Sequence, residues 1–338
     1  MNILPKALLL ILCGLPLSTP AMAATLTRTT WQGQDAYRLS DGKTEAIIAP
    51  AWGRVMRYGF VGGLNVLWNA EPDPLQGNGY KNRGGAKTWP APQSEWPLFA
   101  GDLYPPHPSW DGAPLAAKAE SDHLRLTGPV WEGWGTRLTL DFDWTAVGEL
   151  KITQTLEKVK GEARRISIWQ NTQIAYPDAV FLPMSDRSAY HNGFYWFFGG
   201  PAPEYADAAT TLSPTLLRLK PVPAKSYKVG VDAPIAALVS VKDGTAFLMR
   251  SPIQNVRFSP YPDGADGAGF PACFYNQGGG GGVYDEMELL SPLYLFRKGD
   301  RHAQTVRWSL RRLSSPDLET QAAQAEIEAL LETPSPSP

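Results

Sequence analysis

Residues 136–145, TRLTLDFDWT, carry the pattern that decides the fold. Leu138, Leu140, Phe142 and Trp144 alternate with Thr139, Asp141 and Asp143. Successive side chains of a β-strand point to opposite faces, so a period of two describes a strand with one buried face and one wet face. Residues 149–159, ELKITQTLEKV, repeat the pattern with Leu150, Ile152 and Leu156 on one side, and Gly148 marks the turn between the two strands. Residues 163–176 alternate again. Residues 303–313 place Val306, Trp308 and Leu310 inward, with Arg307, Ser309 and Arg311 outward. Residues 234–241 and 245–250 flank Asp243-Gly244, a dipeptide that suits a tight hairpin turn.

Strand-like stretches run from about residue 44 to 313 without a linker-like shift in composition. The expected architecture is all-β: one large antiparallel β-sandwich of two sheets, spanning residues 24–316. A short C-terminal helix is expected over 317–332, with Ser315 as its cap, Pro316 at its first position, and Asp317 and Glu319 complementing its dipole. The tail 333–338, TPSPSP, is expected to be disordered. Of 338 residues, 43% are hydrophobic and 19% charged, which suits a packed core and not an intrinsically disordered chain. A formal net charge of −2 supplies no broad basic face, so no nucleic acid is expected as a partner.

The N-terminus reads as a secretory signal over residues 1–23. Lys6 precedes an apolar stretch at 7–17, and Ala21-Met22-Ala23 forms an A-x-A cleavage site. The apolar stretch is shorter than the ~20 residues of a spanning helix. The expectation is a periplasmic or secreted protein with no stable membrane insertion after cleavage, and an uncleaved anchor is the alternative. Cys273 would then be the one remaining cysteine, so no internal disulfide is expected.

Three segments carry residues suited to chemistry. The first is 82–97, NRGGAKTWPAPQSEWP, within an irregular stretch at 75–111. Asn82, Arg83, Lys87 and Gln93 can bond hydroxyl groups, and Trp89 and Trp96 offer indole faces to the C–H faces of sugars. The alternative is a loop pinned to the sandwich by its two tryptophans. Lys87 and Arg83 also hint at an acidic ligand such as a uronate. The second is 284–292, YDEMELLSP, where Glu286 and Glu288 fall on one face of a strand and can split their pKa values, leaving one as a base. The run Gly278–Gly282 just before it would let a ligand approach closely. The competing reading is two surface acids on an exposed face, or one acid paired with a buried arginine. The third is 167–173, SIWQNTQ, with Trp169, Asn171 and Gln173 on one face and Ile168, Gln170 and Thr172 on the other. Polar residues on both faces point either to a cleft or to satisfied core amides.

Of the four histidines, His107 lies in a Pro-rich stretch near Trp110 and Asp111 and is the best-placed general acid. The histidines show no metal-ligand spacing, so no metal is expected, and no phosphate loop or dinucleotide fingerprint is present.

These segments resemble the galactose-mutarotase-like superfamily, in a poorly characterised bacterial branch. The resemblance rests on GGAKTWPAPQSEWP at 84–97, SIWQNTQ at 167–173, MELLSPL at 287–293 and VRWSL at 306–310. It implies a β-supersandwich with a sugar cleft across one sheet. Aldose 1-epimerases of this kind use a glutamate base and a histidine acid to open and reclose the sugar ring, and need no cofactor. By that resemblance Glu288 stands where the family's glutamate falls, and Asn82-Arg83 resembles the pair that holds sugar hydroxyls. SIWQNTQ has no histidine where the family carries its acid, and Gln173 or Asn171 stands in that neighbourhood. The acid is then His107, His191 or Lys87, or the protein binds sugars without turning them over. Three readings follow: an aldose 1-epimerase-like isomerase, a non-catalytic carbohydrate-binding protein of the envelope, and a structural envelope protein whose tryptophans are core.

Overall fold

The computed structural model describes residues 24–70, 80–145, 148–197, 207–223, 225–254, 260–262, 269–278 and 284–332. The expected signal segment, the tail 333–338 and most of the Gly278–Gly282 run lie outside the described residues.

The alternating stretches form the expected strands. Residues 136–145 give Thr136–Trp144, residues 149–159 give Leu150–Lys158, and the turn between them carries Gly148 at φ 78. Asp243 and Gly244, at φ 48 and 67, close the hairpin between Ala236–Lys242 and Thr245–Ser251. Consecutive positive φ values give the turn whose twist matches that of the flanking strands.

Two antiparallel sheets result. The first runs in the order Thr25–Trp31, Gln34–Ser40, Thr44–Ala49, Arg54–Phe60, Ala86–Ala91, Arg164–Ala175, Tyr284–Leu290, Ala272–Asn276, Tyr227–Val231 and Tyr195–Trp196. Tyr294–Phe296 adds to one end of Arg164–Ala175. The second runs Ala209–Ser213, Leu216–Leu219, Ala179–Pro183, Ala236–Lys242, Thr245–Ser251, Arg301–Arg312, Leu150–Lys158, Thr136–Trp144, His123–Val130 and Ala116–Glu120. The fold is thus the all-β sandwich that the alternation implied.

The sheets meet over an apolar core that includes Tyr58, Phe142, Ile168, Phe247, Met287 and Trp308. Burying a large apolar side chain contributes roughly 1.5–3 kcal/mol. Tyr58 crosses the interface, its ring 5.2 Å from that of Trp308 and its hydroxyl donating to the Trp308 carbonyl at 2.9 Å. One polar chain runs through the same layer. Thr88 Oγ1 donates to Gln154 Oε1 at 2.7 Å, and Gln154 Nε2 donates to Gln170 Oε1 at 2.6 Å. Gln154 belongs to the second sheet and the other two to the first, so these amides are partnered core groups.

The C-terminal helix runs Gln321–Glu332 and starts one turn later than expected. The Thr320 hydroxyl accepts the Ala323 N–H, so Thr320 takes the capping role assigned to Ser315. Ala323, Ile327 and Leu331 are buried, and the last two pack with Phe181, Val239 and Leu248 of the second sheet. Among the described residues no helix is long and apolar enough to cross a membrane.

Candidate functional site

The stretch read as an irregular loop contains a central strand. Ala86–Ala91 lies between Arg54–Phe60 and Arg164–Ala175, and all six of its residues are buried. Burial on both faces hides the period of two, and Pro90 argues against a central strand on propensity alone. The entry to the strand needs two glycines. Gly84 and Gly85 have φ 80 and 69, and a Cβ on either would fall 2.3 Å from the Trp68 carbonyl or 2.4 Å from that of Val55.

Register then sets the site. Asn171 faces Lys87 on one neighbouring strand and Glu288 on the other, and Glu288 faces Cys273. One step along, Gln173 faces Glu286, Glu286 faces Tyr275, and Tyr275 faces Lys228. Trp169 faces Trp89. Directly opposed residues share a face, so these rows all lie on the side of the sheet turned away from Gln154 and the second sheet.

Two ion pairs cross the rows diagonally. Lys228 Nζ lies 2.7 Å from Glu288 Oε2, and Lys87 Nζ lies 3.7 Å from Glu286 Oε1. Glu286 also accepts Asn171 Nδ2 and Gln173 Nε2, each at 2.8 Å. Glu288 is 1% exposed and Lys87 4%. Burial pulls the Lys87 ammonium down to about 8, with Arg54 acting in the same direction and Glu286, Asp111 and Glu288 opposing it. Each ammonium also lies over an indole: Lys87 4.5 Å from the Trp89 ring centre, Lys228 5.1 Å from that of Trp169.

A second ion pair system braces the edge of this face. Arg54 donates to both oxygens of Asp111 at 2.6 Å and to the Gly84 carbonyl at 2.6 Å. Asp111 also accepts Tyr80 Oη and Trp89 Nε1, each at 2.8 Å. Despite the opposing effect of burial, Arg54 and Lys87 hold the Asp111 carboxyl below its ordinary range. Asn82 Nδ2 donates to the Tyr284 hydroxyl at 3.2 Å, and burial raises the Tyr284 and Tyr104 phenols, which stay protonated at neutral pH.

The arrangement is a buried, balanced set of two ammonium and two carboxylate groups framed by amides and phenols. It can exchange protons and hydrogen-bond a polar ligand. Among the described residues no group of three or more His, Cys, Asp or Glu side chains is placed to hold a metal ion.

No family model and no curated protein matches the sequence. Solved structures do match its shape. A candidate aldose 1-epimerase from Klebsiella pneumoniae superposes with a TM-score of 0.56 at 10% identity, covering 90% of this chain and 86% of that one. A galactose mutarotase-like protein from Clostridium acetobutylicum gives 0.53 at 12% identity, covering 86% and 99%. A galactose mutarotase related enzyme from Lactobacillus acidophilus gives 0.51 at 9%, covering 82% and 97%. The chain has the galactose-mutarotase-like fold.

On this mutarotase-like sheet, Lys87, Trp89, Trp169, Gln173, Glu286 and Glu288 share one face, and Asn82 joins them through Tyr284. Other expected site residues stand elsewhere. Trp96 is fully buried, donates its Nε1 to the Pro90 carbonyl at 2.9 Å, and packs edge-on against Trp89, so it offers no face to a ligand. Gln93 donates to the Leu103 carbonyl at 2.8 Å and ties down residues 101–111. Arg83 stacks over Trp52 at 4.4 Å and lines a cavity of about 900 Å³ at the edge of this face, together with Arg54, Tyr80, His107 and Asp111. His107 Nδ1 accepts the Ser109 N–H at 3.2 Å, and the described wall of that cavity does not include Glu288. His107 thus stands with Arg54, Tyr80 and Asp111 at the braced edge of the face. Of the two cations that hinted at an acidic ligand, Lys87 is matched by Glu286 and Arg83 lies over the Trp52 ring.

Sequence reading missed Lys228, Tyr275, Arg54, Tyr80 and Tyr284 as site groups. A lysine alternating with Tyr227 and Val229 in YKVGV was a usable signal for Lys228, since charge rarely enters so apolar a strand without a partner. The polar residues on both faces of SIWQNTQ have both explanations at once: Gln170 is a satisfied core amide, and Asn171 and Gln173 serve the outer face.

Asp285 lies between the two site positions Tyr284 and Glu286 and points to the other face. Burial pushes its carboxyl up to about 8, against the Gln277 N–H that favours its charge. A carboxyl with a raised folded value costs stability as pH climbs from its unfolded value near 4 to its folded value. Asp285→Asn is therefore expected to be more stabilising at pH 8 than at pH 4 by up to about 5 kcal/mol. Urea unfolding at the two pH values measures this, and an equal effect at both would show that charge burial is not the cause.

Proposed function

We propose that the protein is an exported, carbohydrate-active protein that takes a sugar on the outer face of its first sheet and interconverts its anomers by general acid–base chemistry. The observation that carries the reading is the crossed pair of buried ion pairs, Lys87–Glu286 and Lys228–Glu288, set among amides whose register places them on one face. Sugars present hydroxyls that both donate and accept, and this face offers both kinds of partner. Glu288 is the proposed base: its carboxylate, 2.7 Å from Lys228 Nζ, is the group that would take a proton from an anomeric hydroxyl. The mutarotase-like fold supports a carbohydrate ligand, and the sequence of residues 1–23 supports export.

A non-catalytic sugar-binding role is the second reading. It is favoured by the lysines lying over Trp89 and Trp169, which restrict the stacking platform. NMR of freshly dissolved pure anomers separates the two. Faster equilibration with protein present is the expected result, shift changes without acceleration would favour binding alone, and no effect across a wide panel of sugars would sink both.

A further inference from the structure

We propose that Lys87 is the proton donor of this site, acting on the ring oxygen of an aldose while Glu288 acts on its anomeric hydroxyl. The assignment rests on the carbohydrate reading and names the group that a histidine does not supply on this face.

The geometry begins with partners that are missing. Lys87 Nζ is enclosed, carries three N–H donors and makes no hydrogen bond; its nearest anion is Glu286 at 3.7 Å. That carboxylate is already held by Asn171 Nδ2 and Gln173 Nε2. An ionised carboxylate only accepts, so the amide nitrogens must face it and both amide carbonyls must face elsewhere. Asn171 Oδ1 and Gln173 Oε1 are buried and have no donor. Unmade hydrogen bonds at buried groups are costly, and one donor with two acceptors on adjacent strands of one face is a set that a polyhydroxylated ring satisfies. Its ring oxygen accepts from Nζ, and its hydroxyls donate to the carbonyls.

Register supplies the second support. Lys87 and Glu288 flank Asn171 from opposite sides, so their backbones stand two strand spacings apart, about 10 Å. Glu288 bears electrostatically on the Lys87 ammonium across that gap. The Trp89 indole beneath Nζ keeps the ammonium from turning away.

The step balances with no other reactant. Glu288 takes the proton of the anomeric hydroxyl, and the freed electron pair on that oxygen forms the C1 carbonyl. The bond from C1 to the ring oxygen breaks, its electron pair stays on the ring oxygen, and that oxygen takes a proton from the Lys87 ammonium. After rotation about C1–C2 the ring oxygen attacks the other carbonyl face. The Lys87 amine then recovers its proton as the glutamic acid returns its own to the anomeric oxygen.

An ammonium that loses its proton near pH 8 suits such a shuttle. The charged groups bearing on it are Glu286 and Glu288 from one strand, Arg54 from another and Asp111 from the loop. The donor must be protonated at the start, so anomerisation by the unaltered protein should fall as pH rises through about 8. Lys87→Met and Lys87→Arg should each lower kcat at least 100-fold while KM moves only a few-fold. The arginine variant keeps the charge but holds its proton too tightly to give it up. If either variant keeps more than a tenth of the activity, or the unaltered protein shows a flat profile from pH 7 to 10, the Lys87 assignment falls and the carbohydrate reading stands. If the unaltered protein accelerates no aldose, the assignment falls together with that reading.

Discussion

Arg54→Met is expected to destabilise the fold by roughly 3–5 kcal/mol, the scale of a buried ion pair broken by removing one partner. Arg54 is 1% exposed and serves three groups: both oxygens of Asp111, the Gly84 carbonyl and the Tyr80 hydroxyl. Methionine fills much of the same space but leaves the Asp111 carboxylate inside the protein with only Tyr80 and Trp89 as donors. Loss of the bond to Gly84 also frees the entry to Ala86–Ala91, so the damage should reach the site. Because Arg54 helps hold Asp111 below its ordinary range, the pair stabilises the fold above the unfolded carboxyl value and loses that contribution as pH falls through the folded one. The variant's deficit should accordingly shrink in acid. Denaturant unfolding at pH 7 checks the magnitude; a loss under 1 kcal/mol would mean that the pair contributes little net stability.

Glu288→Gln is expected to slow anomer interconversion by on the order of 100-fold or more, the usual scale for a lost general base. The change keeps shape and removes only the charge and the basic oxygen. It also leaves Lys228 without its anionic partner at 2.7 Å, so a stability measurement must accompany the rate. A folded variant with full activity would remove Glu288 from the mechanism. In that case Glu286, one row away and bonded to two amides, is the remaining carboxylate of this face.

The fold was legible because most strands have one wet face. Thr136–Trp144 and Leu150–Lys158 alternate so regularly that their pairing could be read from a dozen side chains and one glycine. Ala86–Ala91 was not legible, since a strand covered on both sides has no alternation to display and Pro90 points the other way. The candidate site divides along the same line. Glu286 and Glu288 share a face by local spacing alone, so their proximity followed from the sequence. Their partners Lys87 and Lys228 lie about 200 and 60 residues away, respectively, and only the pairing of five strands brings them together. Trp96, Gln93 and His107 were grouped with the site by nearness along the chain, but the turn at Gln93–Glu95 leads them off the sheet.

The amide chain Thr88–Gln154–Gln170 has a consequence for how this protein tolerates change. It sits directly behind Lys87, Trp89, Trp169 and Asn171, alternating with them along the same two strands. A slip of those strands would break it, so alignment is keyed from the rear while ligand contacts occupy the front. Specificity can therefore drift on one side without loosening the frame that aims it.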